Sequence, residues 1–126
     1  MGEFTMPLSA STYLFVGTKP AAVLFGDERV EVKTWREVYT VIMKRCNQDE
    51  RYHEMLMYLR NKASGKIKKF LSDSPEGMTR PVKIDESMYG ETHYGSATML
   101  HILTLRILSP IRYDYSNINI VLRFIK

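Results

Sequence analysis

One cysteine, Cys46, in 126 residues excludes an intramolecular disulfide and any cysteine-rich metal site. No apolar run approaches the roughly 20 residues that carry a helix across a bilayer, so no membrane partner is expected. The first residues have neither a basic start nor a long apolar stretch, which argues against a signal peptide or an anchor. With the lone thiol, this points to a cytoplasmic, reducing setting. There is no Walker or dinucleotide-type glycine loop and no His-Glu-x-x-His pair, so the sequence implies no nucleotide cofactor and no zinc. Repeats, low-complexity tracts and long linkers are also missing, so nothing divides the chain into several domains.

What is present belongs to an ordinary globular protein. The residues are 44% hydrophobic and 25% charged, and the length suffices to bury one real core. A formal net charge of +4 permits a polyanionic partner without requiring one. The reading is a short N-terminal segment, 1–20, followed by one α+β domain over 21–126.

Residues 13–16 read as a short strand stopped by Gly17 and Pro20. Two β-rich runs, 21–25 and 29–33, flank Gly26-Asp27 and form a hairpin. Thr34 and Glu37 have the spacing of a capping box that opens a helix running to about Asn47. Trp35, Val38, Tyr39, Ile42 and Cys46 share its apolar face, with Trp35 and Cys46 expected in the core. Asp49 caps a second helix ending near Ala63, with Tyr52, Met55, Leu56 and Leu59 inward and Gly65 at its C-terminal turn.

Residues 66–71 form a strand, 72–77 a turn, and 81–84 a short extended piece. The stretch from Met88 to Gly95 reads as a polar, aromatic loop. Ser96 caps the helix after it, apolar nearly all round except for a stripe of Thr98, His101 and Thr104. That helix stops at Pro110. Ile118, Ile120, Leu122 and Phe124 then alternate as the apolar face of a last strand. The order ββααββαβ implies about three helices packed on one mainly antiparallel sheet.

The chemistry-bearing residues are few. Glu91 and His93 lack a third metal ligand at a usable spacing, and Cys46 and His53 lie across a helix break. The ordinary role for His101 is a partly buried histidine bonded to a neighbour, and for His93 an exposed loop residue. No catalytic or metal-binding residue is assigned, and an enzyme is not expected.

A basic signal stands out instead. Arg60, Lys62, Lys66, Lys68 and Lys69 occur without an intervening acid, and Arg80 and Lys83 follow nearby. Such a cluster neutralises phosphates, and Tyr89, His93 and Tyr94 would add stacking faces. The competing role for these lysines is to solvate a helix end and guard an edge strand. A third role is to grip an acidic protein.

Two entries into helices carry a resemblance: Val32, Thr34 and Trp35, and later Tyr89, Glu91, Thr92, Ser96 and Ala97. They resemble small C-terminal modules of bacterial restriction-like and phage-defence proteins, which also occur alone in phages and mobile elements. The second entry needs one extra residue between Thr92 and Ser96. The resemblance implies a DNA- or partner-binding accessory domain with no catalytic residues. The leading expectation is therefore a non-catalytic module that contacts nucleic acid through the basic patch. The alternative is a small phage-type inhibitor, of the anti-CRISPR or anti-restriction kind, that binds a host nuclease.

Overall fold

The alternation at Ile118, Ile120 and Leu122 produces β7 (Ile118–Phe124), and the computed structural model, which describes residues 2–60 and 70–124, builds a sheet around it. β1 (Phe4–Pro7) and β2 (Thr18–Phe25) flank β7, and β3 (Glu28–Glu31) pairs with β2, giving the antiparallel order β1-β7-β2-β3. Gly26, at φ 62°, turns the β2–β3 hairpin where a side chain would be strained.

The first twenty residues are not a separate segment. Phe4 to Pro7 pair with β7, and Leu8 and Phe15 are fully buried. Residues 13–16 do not make a strand either, because Thr12–Phe15 winds into a 3-10 turn that delivers Phe15 to the core. Phe124 also departs from expectation. It lies past the covered part of β7, 63% exposed, and stacks on Phe4 with ring centroids 4.8 Å apart.

α1 (Trp35–Gln48) opens with the capping box its sequence implies. The Glu37 amide donates to Thr34 Oγ1 at 3.1 Å, and Glu37 Oε1 accepts from the Thr34 amide at 3.1 Å. Its apolar face buries Val38, Tyr39, Ile42, Met43 and Cys46. Trp35 is half-buried and meets Phe15 edge-on at 5.8 Å, so its neighbour is the 3-10 turn. Asp49 Oδ1 accepts from the Arg51 amide at 3.0 Å and starts α2 (Glu50–Arg60). Leu56 is the fully buried residue of α2, whereas Met55 is 44% exposed instead of facing inward. The expected helix end near Ala63 and Gly65, and the strand begun at Lys66, lie outside the described residues.

α1 packs against β2 on one side and against a second antiparallel sheet on the other. That sheet has the order β4-β6-β5, from β4 (Leu71–Ser72), β5 (Pro81–Asp85) and β6 (Met88–Glu91). The domain is thus α+β, with its strands divided between two sheets and α1 joining them. β6 replaces the start of the expected loop. Gly90 conceals it in the sequence, since glycine weakens a strand. It is required here because a Cβ at Gly90 would lie 2.0 Å from the Tyr39 hydroxyl oxygen.

The long apolar helix begins at Ser96, one residue past its actual N-cap, Gly95. It is α-helical over α3 (Ser96–His101) and π-helical over Ile102–Leu108. The Ser109 amide donates to Thr104 O at 2.8 Å, five residues back, as π-helical bonding requires. Leu103 is fully buried as its position implies, but Thr104 is buried and Leu105 is 53% exposed. The polar stripe at every third residue therefore fails at Thr104, whose Oγ1 donates to Leu100 O at 2.7 Å.

Candidate functional site

The run from Tyr89 to Tyr94, whose polar side chains suggest a recognition loop, is a lock. Glu91 is 1% exposed, and its carboxylate accepts four backbone amides. Thr79 and Arg80 donate at 2.6 and 2.8 Å, and Thr92 and His93 each donate at 3.0 Å. Thr92 Oγ1 donates to Arg80 O at 2.6 Å. From α1, Arg36 donates through Nη2 to Pro81 O at 2.8 Å and through Nε to Thr92 Oγ1 at 3.3 Å. A buried carboxylate surrounded by amides has its acceptors filled and is fixed in place. Glu91 thus holds the strand ends together.

The other basic and aromatic candidates divide into three groups. Lys62, Lys66, Lys68 and Lys69 lie outside the described residues. Arg60 is turned inward, with Nη1 donating to Ser87 O, and Lys83 is ion-paired with Glu86 at 3.1 Å. The Glu86 carboxylate holds the Lys83 ammonium above its ordinary pKa. Tyr89 is half-buried and paired in register with both Lys83 and Ser72, while Tyr94 is half-buried against the core. Arg80 and His93 are exposed and close together, because Glu91 draws in the amides of both.

The lock also fixes where the cationic stretch starts and ends. Arg60 grips Ser87 O just before β6, and the Glu91 amide donates to Phe70 O at 3.1 Å at the end of β6. The flanks of residues 61–69 are therefore anchored at Ser87, in the turn before β6, and at Glu91, its last residue. Thirteen of the 18 Lys and Arg, but all 14 Asp and Glu, fall among the described residues. The positive excess of the chain comes wholly from Lys62, Lys66, Lys68, Lys69 and Lys126.

Spacing could not reveal a polar network at the other end of β6. His53 Nδ1 lies 2.8 Å from Asn47 Oδ1 and 3.5 Å from Asp85 Oδ2. Asn47 Nδ2 donates to Asp85 Oδ2 at 2.8 Å, and Ser87 donates to Asp85 Oδ1 through its amide and its hydroxyl. Burial raises the Asp85 pKa, but these hydrogen bonds outweigh it and leave the carboxyl below its usual value. The order Ser–Asp–His puts the acid in the middle, so the Ser87 hydroxyl bonds the carboxylate and not the imidazole. It ties α1, α2 and the β5–β6 turn together.

Cys46 is fully buried, and burial pushes its thiol up to about 12, so it is an inert core residue. Among the described residues no three His, Cys, Asp or Glu come together as metal ligands. None of the described helices is long and apolar enough to cross a membrane.

Two of the concave surfaces among the described residues bear on binding. An apolar groove of about 390 Å³ lies between α2 and the turn after the π-helical stretch, lined by Met55, Tyr58, Leu59, Pro110 and Ile111 with Glu54 at its edge. A polar cavity of about 310 Å³ lies between residues 8–12 and the π-helical stretch, with His101 on its wall. The structure corrects the expectation for His101, which is exposed and has no partner among the described residues. Comparison of the chain with protein-family models, with curated proteins and with solved structures finds no match.

Proposed function

We propose that the protein is a non-catalytic binding module that contacts nucleic acid through the cationic stretch after α2, in a bacterial defence system or mobile element. The observation that carries this reading is the distribution of charge. The described residues hold one more acid than base, and the positive excess falls mainly in a stretch whose flanking residues, Arg60 and Phe70, bond Ser87 and Glu91. Arg80 and His93 are exposed at the lock that holds the downstream flank. Phosphates attract such a local concentration of lysines whatever the base sequence. The defence setting comes from the resemblance alone. Its two entries correspond here to the α1 capping box and the Glu91 lock, which are structural, so no recognition residue transfers with it.

The second reading, an inhibitor seated on a host nuclease, is favoured by the apolar groove. Met55 and Tyr58 leave 44% and 69% of their surfaces exposed there, as a protein-docking face does.

Filter-binding titrations with DNA and with RNA at low salt test the leading reading. Affinity should fall steeply with salt, and replacing Lys66, Lys68 and Lys69 by Gln should flatten the slope by up to about three contacts. No binding at low salt would overturn it. A stable complex with a nuclease, lost on Tyr58→Ala, would then carry the inhibitor reading.

A further inference from the structure

We infer that the cavity between residues 8–12 and the π-helical stretch binds a small phosphate monoester. The inference is independent of the cationic stretch and rests only on described residues. First, the wall carries polar groups that the protein does not use. Among the described residues, the side chains of Ser9, Ser11, Thr12 and His101 have no hydrogen-bond partner, yet all four converge on one cavity. Elsewhere nearby, hydroxyls are engaged: Thr104 donates to Leu100 O, and Ser109 and Tyr115 bond each other at 3.0 Å. A concave site with a few convergent, uncommitted polar groups is the usual form of a ligand pocket.

Second, the chemistry of the wall selects the ligand. It offers three hydroxyl donors and an imidazole and contains no carboxylate, so a bound cation would meet no counter-charge. Asp114, in the adjoining depression, is turned to the Ser116 amide at 2.9 Å. A tetrahedral oxyanion can accept from hydroxyls and an imidazole N–H together.

Third, the size and the apolar parts imply an organic group on the phosphate. The volume of about 310 Å³ exceeds that of one oxyanion, and Leu105 leaves 53% of its surface at the rim. Leu105 belongs to a π-helical stretch, and π-helical turns are frequent at functional sites. A flat apolar group resting on Leu105 would cover that surface.

Amide-resolved NMR titrations of the full chain with inorganic phosphate and with phenyl phosphate, at constant pH and ionic strength, test this. Saturable shifts are expected at residues 9–12, 101–105 and 115, with phenyl phosphate the tighter ligand. His101→Ala and Ser11→Ala alter exposed side chains and should leave melting unchanged. Each should weaken phosphate binding by about tenfold, as loss of a hydrogen bond to a charged group does. Leu105→Ala should remove the advantage of phenyl phosphate. Shifts centred on Arg80 and His93, shifts unaffected by both polar variants, or no saturation would each overturn the inference.

Discussion

The Glu91 lock and the His101 cavity invert what their residues suggest. The lock has the composition of a recognition loop, with Tyr, Glu, Thr and His around a glycine, yet its carboxylate is committed to backbone amides. The cavity is walled by a helix that reads as plain core, yet Ser9, Ser11, Thr12 and His101 on its wall have no hydrogen-bond partner among the described residues. The difference shows that residue type is a poor guide to function until hydrogen bonds are assigned. A buried polar group with satisfied geometry stabilises, whereas a convergent set left open to solvent can bind.

The comparison breaks most readily at Glu91. Glu91→Ala leaves the amides of Thr79, Arg80 and His93 without their acceptor, while the Thr92 amide keeps Arg80 O at 3.0 Å, and should cost at least about 3 kcal/mol, since each poorly hydrated donor costs about 1–3 kcal/mol. Urea unfolding measures it. A loss under about 1 kcal/mol would mean the lock is not structural.

Gly90→Ala should have the next largest effect. Its Cβ would meet the Tyr39 hydroxyl oxygen at 2.0 Å, and overpacking of this kind costs about 1–3 kcal/mol. The Tyr39 hydroxyl is buried without a partner among the described residues, so Tyr39→Phe alone should be neutral or mildly stabilising. Combined with Gly90→Ala, it should recover part of the loss in thermal melts. Strict additivity of the two changes would show that ring and glycine do not press on each other.

The smallest effect is expected in the cavity. His101→Ala should shift stability by no more than about 0.5 kcal/mol, because the ring makes no bond among the described residues. A large loss there would place the cavity with the lock, as structure rather than site.

Local rules made much of the fold legible. The Thr34–Glu37 spacing names the start of α1, Asp49 the start of α2, and the alternation from Ile118 to Leu122 the central strand. These succeed because capping and strand periodicity depend on residues within a few positions of each other. The α+β class follows from the order of such elements.

Tertiary structure decided the rest. Nothing local shows that residues 4–7 close the edge of a sheet, because their partners are residues 119–122. Gly90 reads as a loop residue until the Tyr39 ring, half a chain away, is set against it. The π-helical bonding over Ile102–Leu108 is not announced by any residue within it, since its apolar spacing also suits an α-helix. Above all, the sequence shows that Glu91 and His101 are polar but not which of them is satisfied. Hydrogen-bond partners come from distant segments, so only the assembled chain could separate the lock from the open cavity.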